Sequence, residues 1–581
     1  MTTISPNLKM KLRDLLEQIY PALDQDHLAH EVITAFWPED MHPRKRSRVP
    51  GNKLWSSKDV MVITYGNSFV DGTHKPLDLL NDFLKRYLKG YVNSVHILPF
   101  FPFTSDDGFA VTDYRAVNSH LGDWADVERI ASEFKLMSDL VLNHVSSQGK
   151  WFNGYLQGHE PYDKFFFEAS PNDDLSEVVR PRTSPLLREV ETANGTRHVW
   201  CTFSHDQVDV DFSNPEVLLE FIRIMRLHID HGVRIIRLDA VAFIWKELGT
   251  NCIHLPETHA IVQLMRVLCD FAVEPIILLT ETNVPNVENL SYFGNRNEAH
   301  AIYNFSLPPL LLHALMSGTA EHLHRWQATM PPAQLGCAYL NFTASHDGIG
   351  MRPAEGILPP EEKEQVIEKV RDFGGRVSMR ALPDGGEAPY ELNITWFDAM
   401  KGTFEGEDEF QVDRFLCSQT IAMALEGIPA IYVHSLLGTP NDQQGVEKTG
   451  VNRAINRHRW DYAALREQLD DPSSVHAQVL RQMKRRIDVR CAQEAFHPNG
   501  TQFTLHLDPR IFGIWRQSLN RDQSIFALHN VSKDELSIKP MSINLIGGED
   551  WIDLLSGEPI HANGTDIPMR PYQCRWITNR R

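Results

Sequence analysis

Eight short apolar runs, separated by stretches of helical spacing, constrain this chain more than any other feature. They fall at residues 60–65, 95–99, 136–142, 233–238, 276–281, 301–305, 338–342 and 428–433. Short apolar strands joined mainly by helices are the pattern of an α/β protein, and eight of them predict a (β/α)8 TIM barrel. The run at 233–241, VRIIRLDAV, is the most informative. It is β-branched and ends on Arg237 and Asp239, two residues apart and so on one face of a strand. At the carboxyl end of a barrel strand that face looks into the active site. A structural salt bridge has the same pattern.

The connections divide the chain. Residues 1–57 read as a helical segment followed by a basic loop, Arg44, Lys45, Arg46 and Arg48, taken as a solvated turn. The barrel is expected in 58–145, 216–347 and 411–498. Two connections are too long for simple loops. Residues 146–215, after the third strand, carry Trp151, Phe152, Tyr155, Tyr162, Phe165, Phe166 and Phe167 and read as a small domain over the pocket. Residues 348–410, after the seventh, contain Gly374-Gly375 and the turn signal Pro383, Asp384, Gly385, Gly386, and read as a loop-rich, mobile insertion. From 499 to 581 short alternating runs predict an antiparallel β-domain.

A net charge of −19 disfavours a nucleic-acid partner, which demands clustered Lys and Arg. The seven cysteines form no CxxC pair, consistent with reduced thiols in a cytoplasmic protein. The first residues lack the apolar core of a secretory signal, and no apolar run is long enough to span a membrane, so no membrane partner is expected. Composition leaves oligomeric state open.

Four polar clusters end different strand candidates: Asp139, Asn143 and His144 the third; Arg237 and Asp239 the fourth; Glu281 and Asn283 the fifth; His346 and Asp347 follow the seventh. Any one suits a turn or a helix cap. Together and in this order they resemble the four sequence regions of the α-amylase superfamily of retaining α-glycosidases and transglycosidases. The resemblance implies Asp239 as nucleophile, Glu281 as general acid/base and Asp347 as transition-state stabiliser. Retention requires two inversions through a covalent glucosyl-enzyme. Asp239 must be ionised, which Arg237 would favour by lowering its pKa. Glu281 must begin protonated. The expected separation of their carboxyl groups is roughly 5–5.5 Å.

A narrower resemblance rests on 99–109 (PFFPFTSDDGF), 180–182 (RPR), 307–314 (LPPLLLHA), 345–350 (SHDGIG) and 452–457 (NRAINR). These segments are similar to sucrose phosphorylases and their relatives. The resemblance implies that Asp106, His144, His346 and Arg453 bind glucosyl hydroxyls, and that Phe109 and Phe203 sandwich the glucosyl group. It places Arg182 and Tyr390 on mobile loops, where they help bind phosphate. The substrates are then a small α-glucoside and inorganic phosphate, with α-glucose 1-phosphate as product. Cofactors and an essential metal are not expected. Asp139 reads as structural, paired with Arg237, so a chelator should leave activity intact.

The chain departs from sucrose phosphorylases at Asn283, where they carry histidine, and at Glu391, where Tyr-Gln becomes Tyr-Glu; Phe243 also lies near the acceptor side. Residues 245–254 (WKELGTNCIH) look closer to phosphorylases of glucosylglycerol and glucosylglycerate. If Glu391 faces the acceptor it repels the carboxylate of glycerate, which makes 2-O-α-glucosylglycerol, with glycerol as acceptor, the expected substrate. Glucosylglycerate, then sucrose and sucrose 6'-phosphate, are the alternatives. A hydrolase or transglucosidase of the superfamily, or a catalytically inactive amylase-like binding subunit, completes the set.

Overall fold

The computed structural model describes residues 6–37, 51–382, 386–545, 550–561 and 566–580. The basic loop at 44–48 and the turn at 383–385 lie outside them. Strands β1 (Met61–Thr64), β2 (Ser94–Ile97), β3 (Lys135–Val141), β4 (Val233–Asp239), β5 (Ile277–Thr280), β6 (Ala301–Tyr303), β7 (Ala338–Asn341) and β8 (Ile428–Tyr432) pair in parallel and close into a barrel, each beside its sequence neighbours and β8 beside β1. All eight coincide with the apolar runs. Burial on both faces explains why they read as continuous apolar stretches; in β4 only Arg234 is not buried.

Two N-terminal helices, α1 (Pro6–Ile19) and α2 (Gln25–Phe36), precede the barrel. In α1, Leu8, Leu12, Leu15, Leu16 and Ile19 make one buried stripe at helical spacing. The Asp24 side chain caps α2 by accepting from the Asp26 and His27 amides. Helix α2 packs on α3 (Pro215–Asp230) and α1 on α4 (Pro256–Phe271), so the segment lies on the barrel's outer layer.

After β6 the chain forms α5 (Leu307–Ser317) and α6 (Glu321–Thr329). Residues 348–410 differ from the loop-rich expectation. They hold α7 (Pro360–Asp372) and a three-stranded antiparallel sheet built on the hairpin Arg376–Ala381 and Glu387–Asn393. The hairpin strands are mixed in polarity, which hid their alternation. Residues 146–215 form short antiparallel pairs, His144–Ser146 with Gln207–Asp209 and Leu187–Thr192 with Gly195–Trp200.

Helices α8 (Gln411–Ala424) and α9 (Val475–Cys491) flank β8. The C-terminal sheet runs Thr501–Leu505, Ile511–Gln517, Ser524–Asn530, Cys574–Thr578, Trp551–Asp553, Pro559–Ile560, all antiparallel. Its alternation divides two cores. Phe512, Ile514, Ile525 and Ala527 pack towards the barrel, and Ile511, Phe526 and Leu528 pack on the outer face. All seven cysteines are free. Among the described residues no helix is long and apolar enough to cross a membrane.

Candidate active site

The register of β3 and β4 sets the floor of the site. Asp139 is the partner of Arg237 across the strand pair, and Val141 is the partner of Asp239. Side chains two residues apart share a face, so Asp139, Arg237 and Asp239 converge inside the barrel. Arg237 Nη1 donates to both carboxylates, at 2.6 Å for Asp239 Oδ1. Asp139 Oδ2 lies 2.7 Å from His96 Nε2 on β2. All four groups are buried.

Burial raises the Asp139 carboxyl, but His96 and the Arg237 guanidinium oppose that and bring it down to about 2. In the unfolded chain the same group titrates near about 4. Asp139 therefore contributes stability that is complete above about pH 4 and is lost as pH falls towards 2, roughly 2 kcal/mol. In Asp139→Asn, chemical denaturation should show a shallower pH dependence across that window. An unchanged slope would refute the assignment.

Asp239 and Glu281 form a coupled pair. Burial raises Asp239, Arg237 opposes it and the Glu281 carboxyl reinforces it, so Asp239 ends above the ordinary range. Arg237 lowers it, as expected, but burial and the Glu281 carboxyl outweigh that effect. Glu281 is also raised, first by burial; Arg237 opposes this, and the Asp347 carboxylate adds to it. Arg237 decides which of the two keeps a shared proton. It contacts Asp239 directly, whereas Glu281 Oε2 accepts only the Ala240 amide, at 3.0 Å. That contact favours the ionised form of Asp239 over that of Glu281, the order of charge a retaining glycosyl transfer would use. Ala240, next to Asp239 and itself lining the cavity, holds a left-handed φ of 49°, as do Asp106 (51°), also in the lining, and its neighbour Asp107 (46°). Such backbone persists only where the surroundings over-determine it.

Asp347 Oδ1 lies 2.7 Å from Arg453 Nη1 and 3.4 Å from His346 Nε2. Arg453 also grips Glu391 with two parallel bonds, Nε at 3.0 Å and Nη2 at 2.5 Å, and reaches towards Asp106 at 3.7 Å. Phe109 stacks on His346 with centroids 4.8 Å apart and an 8° interplanar angle. Burial lowers His144, and burial with the nearby Arg457 guanidinium lowers His346, so both imidazoles are neutral hydrogen-bonding groups. His144 Nε2 sits 3.1 Å from the Phe109 carbonyl, and its ring faces Phe203 at 5.1 Å. At the mouth, the Arg182 guanidinium lies over the Phe203 and Tyr390 rings at 5.7 and 5.1 Å. Arg180 turns to the Ser184 carbonyl instead. The cavity is lined by each residue assigned a catalytic or substrate-binding role from the sequence except Arg237, which lies beneath it against Asp239; Asp139, Asn143 and Phe243 do not line it.

The cavity also contains Gln207, whose amide reaches His144 Nε2 at 3.1 Å. It lies in the first insertion far from any motif, and only the pairing of Gln207–Asp209 with His144–Ser146 delivers it. Asn283 lines the wall, and its Oδ1 is buried without a hydrogen-bond partner. Below, the Lys246 ammonium stands 2.9 Å from both Asn143 Oδ1 and Asp209 Oδ2, donating to two oxygen acceptors and supplying positive charge between them.

Comparison with known proteins agrees with this geometry. The family profile described as the alpha amylase catalytic domain matches residues 65–347. The chain is 42% identical to a glucosylglycerate phosphorylase of Spirochaeta thermophila, over 98% of both chains. It is 28% identical to a glucosylglycerol phosphorylase of Marinobacter adhaerens, over 66% of this chain and 79% of the other. The solved sucrose 6F-phosphate phosphorylase from Thermoanaerobacter thermosaccharolyticum superposes with a TM-score of 0.71 at 25% identity, covering 88% of this chain and 98% of the other. The chain thus belongs to the α-amylase family and is one of its glycosyl-transferring phosphorylases, of the sucrose phosphorylase group.

Proposed function

We propose that the protein is a retaining glucosylglycerate phosphorylase, converting α-glucosylglycerate and phosphate to α-glucose 1-phosphate and glycerate. The observation that carries the reading is 42% identity, end to end, with a relative of that name. This revises the glycerol expectation, which rested on Glu391 repelling a carboxylate. Glu391 is 2% exposed and held by two bonds from Arg453, so its charge is neutralised by a neighbouring guanidinium.

In this mechanism Asp239 attacks the anomeric carbon while Glu281 protonates the departing glycerate oxygen. Phosphate then attacks the β-glucosyl ester from the opposite face, with Glu281 taking up a proton if the attacking phosphate carries one. Asp347, anchored by Arg453, receives sugar hydroxyls and steadies positive character at the anomeric carbon. Phe109 and Phe203 flank the sugar and keep water from the ester.

Both acceptors are anions approaching a site of carboxyl groups, so a cation at the mouth is required. Arg182 meets that need, having no carboxylate partner among the described residues and two aromatic rings to hold its plane. Arg182→Ala should raise the KM for phosphate about 10- to 100-fold, the loss of one charge-assisted contact. An unchanged KM would remove Arg182 from the acceptor site.

The substrate is tested in reverse, with glucose 1-phosphate and glycerate, glycerol or fructose as acceptor. Glycerate should give the highest kcat/KM. Faster transfer to glycerol would restore the other reading.

A further inference from the structure

We propose that His313, His322 and Glu362 bind one transition-metal ion of the zinc class, tying the second insertion to the barrel. His313 lies on α5, His322 on α6 and Glu362 in the first turn of α7. Gly318, left-handed at φ 74°, ends α5 and turns the chain so that α6 brings His322 back to His313. The two rings lie 5.2 Å apart at 72°. Their donor atoms and a Glu362 oxygen all fall within 4.8 Å of one another, the one such group of three among the described residues.

The details favour a shared cation over a plain hydrogen-bond cluster. Both Nε2 atoms converge on the same oxygen, Glu362 Oε2, at 2.6 Å from His313 and 2.9 Å from His322. The His322 contact is a hydrogen bond; the His313 contact is short but misaligned, the oxygen lying off the N–H axis. Nδ1 of each ring is buried without a hydrogen-bond partner, so no second contact holds the proton on Nε2, and a metal ion could displace the His322 Nε2 hydrogen to free that lone pair. Nitrogen and oxygen ligands about 2.0–2.1 Å from zinc in a tetrahedron stand about 3.3 Å apart. A shift of the flexible Glu362 side chain by less than about 1 Å brings the two nitrogen–oxygen distances, 2.6 and 2.9 Å, to that value. Two imidazoles and a carboxylate suit Zn2+ or Co2+ better than the oxygen-loving Mg2+ or Ca2+. The histidines are buried, while the Glu362 side chain is 35% exposed and leaves a path for the ion and a water as fourth ligand.

None of the three residues lines the cavity of Asp239 and Glu281, so the ion acts as a tether rather than a reactant. Its lever is positional. Helix α7 packs on the strand Arg376–Ala381, whose hairpin partner Glu387–Asn393 carries Tyr390 and Glu391 into the pocket.

The full chain, stripped with a chelator and dialysed, is titrated with Co2+ and then Zn2+. The expected result is one equivalent of Co2+ with the visible absorption of a low-coordinate nitrogen–oxygen site, displaced by Zn2+, and a Zn2+-dependent rise in Tm. His322→Ala and Glu362→Gln, at the less buried positions, should each weaken binding at least about 100-fold while leaving the circular dichroism unchanged. Failure of the stripped protein to take up a stoichiometric ion overturns the proposal. So does equal uptake by the variants, which would place the ion on others of the 26 histidines.

Discussion

Asp239→Ala should lower phosphorolysis by about 10^5-fold or more, the scale seen when a covalent nucleophile is removed. On the proposed mechanism the variant loses the atom that attacks the anomeric carbon, and Arg237 keeps only Asp139 as its carboxylate contact. Because Arg237 is buried, part of the loss comes from disturbed positioning. Asp239→Asn separates the two effects, since it keeps the shape and removes the nucleophilic oxygen. Mass spectrometry of wild-type protein quenched during turnover should find a hexosyl ester on the peptide containing Asp239. An adduct on another side chain, or a β-configured sugar phosphate as product, would end the double-displacement account.

The second large effect is expected at Arg453. One guanidinium serves Asp347 and Glu391 and lies near Asp106; Glu391 is buried, while the other three side chains are partly exposed. Arg453→Met fills similar space but leaves Glu391 buried with its principal ion-pair partner removed. Stranding a buried charge costs about 3–5 kcal/mol. Turnover should fall about 10^3-fold as well, because on the proposed mechanism Asp347 loses the anchor that holds it beside the anomeric carbon. Denaturant melts and steady-state kinetics read the two consequences separately. Arg453→Met/Glu391→Gln should recover much of the stability without the turnover, since the stranded charge is gone but Asp347 is still unheld. Equal recovery of both would show that Arg453 acts only as a structural partner of Glu391.

The more similar relatives favour glycerate over the glycerol expectation, and the weakness of that expectation is instructive. Reading Tyr390-Glu391 in sequence shows a carboxylate beside an acceptor-side tyrosine, and repulsion of glycerate follows. That argument assumes a solvated, unpaired charge. Arg453, 62 residues later, removes the assumption by gripping Glu391 from another element.

The barrel was legible because buried parallel strands leave a signature that needs no partner to recognise: short β-branched runs at intervals long enough for a helix. Polar residues at the ends of those runs, Asp139, Arg237, Asp239 and Glu281, were legible as a site because strand ends in such a barrel share one mouth. Period and position within the chain were enough for both. The sequence suggested Asp139 beside Arg237, and the register of two strands delivers it, but most other meetings were not legible. Gln207 reaching His144 is a matter of a pairing across an insertion, and His313, His322 and Glu362 converging of how three helices pack. Electrostatic energies depend on separations of a few ångströms and on exclusion of water. Distances of that kind between residues far apart in the chain exist only once it has folded.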